Sequence, residues 1–178
     1  MEPTRLFDLL EYAKINHPFS NALNTKYNGK WEALSTHDYS KKANYISSSL
    51  INMGVNPGDK IAMISSTNRS EWSIVDMGLT QIGAINVPLY PTITSRDYLY
   101  ILNHSECKYC FVSDKEVFSK VSAIKDKVNS LENIYSFDQI DSCDNWIDLI
   151  KSGEEKLNIS AIEKRKFDVK SDDLATII

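Results

Sequence analysis

Apolar residues recur along this chain at helical spacing in several places. Tyr39, Ala43, Ile46, Leu50 and Met53 step by four, three, four and three, which places them on one face of a long helix. Ser35, with Asp38 three residues on, is suited to open that helix, and Gly54 to close it. Trp72, Val75, Leu79 and Ile82 predict a second helix, capped by Asn68 and ended by Gly83 in the left-handed conformation. Val117, Val121, Ile124 and Val128 predict a third behind Asp114. Leu6, Leu9, Leu10 and Ala13 share a face of a short N-terminal helix capped by Thr4, with Pro18 beyond its end. Thr94 and Asp97 form a capping-box start for a helix over 98–103, and Trp146, Leu149 and Ile150 predict a short helix ended by Gly153.

Between these stretches lie an apolar run without alternation at 61–64 and three further short strand candidates, at 84–87, 109–112 and 134–137. Such a run suits a strand buried on both faces. Residues 22–34 read as a hairpin turned at Asn28-Gly29, and Asn56-Pro57-Gly58-Asp59 as a tight turn. Pro88 and Pro91 each remove a backbone donor, so no regular ladder is expected through Leu89 and Tyr90. Residues 154–173 read as a polar surface connection with about one helical turn, and 174–178 as a strand just beginning. Strands separated by helices predict an α/β fold, a mainly parallel sheet with flanking helices plus an N-terminal hairpin.

Composition changes little in this picture. The 178 residues are 42% hydrophobic and 25% charged, ordinary for a globular chain. The net charge of −4 argues against a general binder of nucleic acid. No apolar run approaches the roughly 20 residues that span a bilayer. The first residues, with acids among the apolar positions, do not form a secretory signal, so the expectation is cytoplasmic.

Candidate chemistry is sparse. Cys107 and Cys110 form a C-x-x-C with His104 before them, but a zinc site needs four ligands and only Cys143 remains as a further cysteine. The pair enters a strand, which favours buried structural cysteines and no metal. Ser65, Ser66, Thr67 and Asn68 lie at a strand-to-helix turn where amides can hold an anion, though helix capping accounts for the same residues. Tyr90 stands between prolines beyond a strand end, best read as a rigid turn. Asp172 and Asp173 read as solvated charge ahead of a strand. Neither phosphate-loop fingerprint and no G-x-S-x-G elbow occurs. On the residues alone there is no catalytic machinery.

Asn68-Arg69-Ser70-Glu71-Trp72, followed by residues 83–92 (GAINVPLYPT), resembles the opening part of the adenylate-forming acyl-CoA synthetases, with wording nearest the long-chain fatty acid–CoA ligase branch. The resemblance extends over Trp31, the Gly54-to-Asp59 turn, Tyr100-Ile101-Leu102-Asn103 and the strand end before Asp114. It implies carboxylate adenylation with ATP and magnesium, then transfer of the acyl group to coenzyme A. It implies that residues 1–178 are the N-terminal part of a large adenylation domain, ending before a phosphate loop that follows a strand like 173–178. The family's catalytic residues fall outside this chain, so none is carried over and the chain alone is expected to be inactive. A fatty acid substrate and a homodimer are further expectations. An adenylating relative that loads a carrier protein, and a free-standing α/β binding or interaction module, stay open.

Overall fold

Ser35 accepts a hydrogen bond from the Asp38 amide and so starts the longest of the described helices, α2 (Thr36–Asn52). The computed structural model describes residues 2–178. They fall into two units, one built from residues up to Asn56, 68–83 and 149–173, the other from 57–67, 84–148 and 174–178. No helix among the described residues is long and apolar enough to cross a membrane.

The first unit is a helical layer around α2, with a hairpin. It holds α1 (Leu6–Asn16), β1 (Leu23–Tyr27), β2 (Lys30–Leu34), α3 (Ser70–Gln81) and α7 (Ile159–Asp168). It also holds the latter part of α6 (Trp146–Glu155). The hairpin is antiparallel with Tyr27 opposite Lys30, and Asn28 and Gly29 both take positive φ at its turn. The predicted stripe of α2 buries Ala43, Ile46 and Leu50 completely, but Tyr45 and the serines at 47–49 are buried too. Helix α2 is therefore enclosed over more than one stripe.

Several helix ends differ from expectation. Helix α1 is capped at Arg5 and not at Thr4, because the Asp8 carboxylate reaches back to the Thr4 and Arg5 amides. Its buried residues are Phe7 and Leu10, while Leu6 and Leu9 are exposed. Asn68 does not cap α3. The N-cap is Arg69, and the Ser70 amide instead donates to the Thr25 hydroxyl of β1 (2.7 Å). Gly83 does take φ +72 at the far end of α3. Gly153 ends nothing, since α6 runs on to Glu155. It stands where α6 presses on α2, and a β-carbon there would collide with the Tyr45 carbonyl oxygen. The polar stretch at 154–173 contains α7, a helix of 10 residues that seats Ile162 out of solvent, where one turn was expected.

The second unit is the sheet. Its strands are β3 (Lys60–Ile64), β4 (Ile85–Leu89), β5 (Cys107–Val112), β6 (Asn133–Ser136) and β7 (Asp144–Asn145), all parallel, in the order β4-β3-β5-β6-β7. Strand β7 has no apolar run and leaves no trace in the sequence pattern. On one face Ala62, Ile64, Val87, Cys110 and Val112 pack with Tyr98 and Leu102 of α4 (Ser95–Ser105) and with Val117 and Val121 of α5 (Lys115–Ser122). Helix α5 stops at Ser122, yet Ile124 and Val128 complete the same buried cluster across a 3-10 turn at Lys125–Lys127. The other-face residues Ile61, Met63 and Phe111 are equally buried. Strand β4 runs on through Pro88 and Leu89, which pair with Met63 and Ile64, where a break was expected. The segment 174–178 makes a single parallel bridge, Thr176 to Asn86.

Candidate functional site at the carboxyl edge of the sheet

The strand order places a topological switch between β3 and β5. From β3 the chain goes to β4 on one side, and from β5 it goes to β6 on the other. Ligands in open α/β sheets gather beyond the carboxyl ends of such strands. At this position β3 gives way to Ser65 and Ser66, and β5 to Ser113 and Asp114. The Ser113 amide donates to the Ile64 carbonyl (2.9 Å), which keeps the two strand ends together. The Ser66 amide donates to the Ser113 hydroxyl (3.0 Å), which in turn donates to Asp114 (2.6 Å).

Asp114 also accepts the Glu116 and Val117 amides and so starts α5. Burial pushes its carboxyl up, but the hydrogen bonds from Ser113, Ser66 and the two amides outweigh this and hold it below the ordinary range. It is thus a fixed anion at neutral pH. Ser65 donates to the Thr67 carbonyl (2.7 Å), a local turn.

The neighbouring turn after β4 is held from three directions. The Tyr98 hydroxyl donates to the Tyr90 carbonyl (2.9 Å), Lys120 donates to the Pro91 carbonyl (3.0 Å), and Thr94 exchanges hydrogen bonds with Asp97 in a capping box. Burial pushes the Tyr98 phenol up to about 12, so it stays a donor. The Tyr90 ring projects into solvent, 76% exposed. The expected rigid turn is present, and Tyr98 and Lys120 are its unforeseen supports. Only the helical spacing from Thr94 to Tyr98 hinted at the first. This edge offers hydroxyls, amides, the Lys120 amine and the Asp97 and Asp114 carboxylates. Such groups can hold and orient a polar ligand.

The other candidates scatter. Cys107 and Cys110 lie in β5, both fully buried. The register of β5 against β3 slips by one residue between Cys107 and Tyr109, and both cysteines join the same buried cluster. Burial pushes the Cys107 thiol up to about 11 and Cys110 well above its ordinary value, so neither is a thiolate at neutral pH. His104 is on α4, its ring stacked on Tyr100 at 5.6 Å. Cys143 donates to the Ile134 carbonyl. Among the described residues no group of three or more His, Cys, Asp or Glu is arranged to hold a metal ion. Asp173 accepts the Lys170 amide (2.8 Å), a turn contact.

The Arg69-Ser70-Glu71 stretch has a structural task in the helical unit. Arg69 pairs with Glu71 at 2.6 Å with both side chains buried. Burial pushes Glu71 up, and hydrogen bonds from Arg69 and Tyr27 more than reverse it. Tyr27, pushed up to about 12 by burial and by Glu71, joins Thr25 in tying β1 to the start of α3. Strand alternation puts Thr25 and Tyr27 on one hairpin face, which was the available signal.

The AMP-binding enzyme family model matches residues 13–178. The chain belongs to the AMP-binding enzyme family. Similar relatives include long-chain-fatty-acid–CoA ligase FadD15 of Mycobacterium tuberculosis, 25% identical over 150 residues, covering 84% of this chain and 24% of that protein. Fatty acyl-CoA synthetase A of Dictyostelium discoideum is 35% identical over 89 residues, covering 50% of this chain and 13% of its own. The chain thus spans about a quarter or less of the length of these relatives. Among solved structures, the coronafacic acid ligase of Pectobacterium brasiliense superimposes with a TM-score of 0.75 at 18% identity, over 97% of this chain and 33% of that one. The anthranilate CoA ligase AuaEII, in complex with anthranoyl-AMP, gives 0.70 at 21% identity, over 84% and 28%. As an AMP-binding family member the chain has the α/β fold of these adenylate-forming enzymes, with a parallel five-stranded sheet and an antiparallel hairpin.

Proposed function

We propose that residues 1–178 form the N-terminal part of the large adenylation domain of an ATP-dependent long-chain fatty acid–CoA ligase. Such an enzyme joins a fatty carboxylate to AMP with release of pyrophosphate, then passes the acyl group to the thiol of coenzyme A. The observation that supports this is the family match over 13–178, together with long-chain fatty acid–CoA ligases among the relatives. ATP, magnesium and coenzyme A belong to the reaction of the whole protein, which acts in the cytoplasm on a small-molecule substrate. This chain contributes the sheet and its carboxyl edge, and the groups that meet the phosphates and stabilise developing charge lie on other segments. The chain alone is therefore inactive. The test is pyrophosphate–ATP exchange with a long-chain fatty acid. The 178-residue chain is expected to give none. A product of the same reading frame that extends past Ile178 into a glycine- and threonine-rich loop is expected to give exchange that depends on the acid. Exchange by the chain alone, or none by the extended protein, would overturn the proposal.

A further inference from the structure

Asn86 uses both backbone groups on the side of β4 away from β3. Its amide donates to the Ala175 carbonyl (3.0 Å), and its carbonyl accepts from the Ile177 amide (3.0 Å). In a parallel ladder the two backbone groups of a residue point to one side, and successive residues alternate. Ile85 faces the other way, its amide donating to Asp59 at the start of β3 (2.8 Å). Pro88, two residues beyond Asn86, therefore faces the outer side. The next rung of the outer ladder runs from the amide of residue 88 to the carbonyl of Ile177. Proline has no amide hydrogen to give.

We propose that Pro88 is the stop that ends the pairing of the 174–178 segment with β4 on the carboxyl side of the Thr176 bridge. The inner ladder is untouched, because Met63 and Pro88 remain paired in register. The proline leaves β4 intact on the side of β3 and blunt on its outer edge. The segment is held at Asn86 and is free of the ladder from the level of Pro88, toward the carboxyl end of β4. On the reading under "Proposed function", on which this last consequence rests, Pro88 is a positioning residue. It sets the height at which the chain leaves the sheet toward the phosphates.

The test is amide hydrogen exchange, followed by NMR, on the chain and on Pro88→Ala, which restores the donor. The amide introduced at position 88 is expected to exchange within about tenfold of the Asn86 amide, because both then donate to the same segment. Pro88→Thr supplies the same donor on a residue that prefers strands, in case the alanine variant folds poorly. Exchange of the new amide at the free-chain rate, while the Asn86 and Ile177 amides stay protected, would overturn the proposal. So would an unprotected Ile177 amide in the unsubstituted chain, since the bridge would then be missing. Neither outcome bears on the ligase reading, which stands or falls on pyrophosphate–ATP exchange.

Discussion

Helix α2 and strand β3 are both enclosed, yet they solve the problem of burial differently. In β3, the four residues at 61–64 are apolar and at most 1% exposed. In α2, Ser47, Ser48 and Ser49 are as deeply buried. The Ser47 hydroxyl donates to the Gly78 carbonyl (2.8 Å), and Ser48 donates to the Lys156 carbonyl (2.9 Å) while accepting the Asn158 amide (3.1 Å). A helix satisfies its own backbone, so small hydroxyls on its surface can serve the irregular backbone of its neighbours. Strand β3 has apolar side chains on each face along 61–64, and a hydroxyl placed among them would have only apolar neighbours. Buried hydroxyls in the helical layer therefore act as joints, and in the sheet the same part is played only at a strand end, where Ser136 of β6 donates to the Asp138 carbonyl (2.7 Å), and not in the middle of β3.

The largest test of this contrast is Ile162→Ala in α7, which packs on α2 and is fully buried. It should cost about 3 kcal/mol in urea unfolding. A loss below about 1 kcal/mol would mean that α7 is the surface connection the composition suggested. Gly153→Ala comes next. Alanine improves helix propensity by about 1 kcal/mol, yet its β-carbon runs into the Tyr45 carbonyl. Net destabilisation of about 2 kcal/mol is expected from overpacking. A raised melting temperature would refute the close approach. Ala62→Ser places an unpartnered hydroxyl in β3 and should cost about 1–2 kcal/mol. Ser48→Ala removes a hydroxyl that serves two partners and should cost about 1 kcal/mol. Equal tolerance of both would erase the distinction.

Acid sharpens the comparison with the smallest effect. Asp8, Glu11 and Glu71 in the helical unit are held below their ordinary values, as are Asp97 and Asp114 in the sheet unit. For Asp8 the leading cause is its bond to Arg5; for Glu11 and Glu71 burial pushes up and the cationic partners and hydrogen bonds prevail. A depressed carboxyl contributes stability that is whole above its unfolded value and is lost as pH falls through the folded one. Unfolding midpoints should therefore be flat above about pH 5 and fall below the unfolded Glu value near 4.5. Glu71→Gln should make that acid limb shallower. An unchanged limb would show that Glu71 contributes nothing to it.

The sheet was more legible in the sequence than the helical layer, for physical reasons. Strands β3 and β5 and the caps at Ser35, Thr94 and Asp114 are local signals, complete within a few residues. Gly83 was readable because positive φ is a demand of its own backbone. Gly153 was misread as the same thing, because a glycine required by a neighbour's carbonyl looks no different along the chain. Leu6 and Leu9 do share a helix face, but which face is buried depends on what packs there. The carboxyl edge was partly legible. Ser65, Ser66 and Tyr90 stand out in the sequence by their place beyond strand ends, while Ser113 and Lys120 enter through contacts that no spacing reveals. Pro88 predicts a break because proline has no amide to give a ladder, but the loss falls on one side only, and β4 stays paired with β3.

The cap of α3 has a consequence for the order of events in folding. Its first amide, on Ser70, is satisfied by Thr25, 45 residues earlier in the chain. A helix that carries its own cap can form its first turn alone, whereas this one has to wait for a hairpin to arrive. The rate at which the Ser70 amide becomes protected during refolding should follow the docking of β1 and not the growth of α3. Most of the helix can be in place early, with its first turn left fraying until the distant strand closes it.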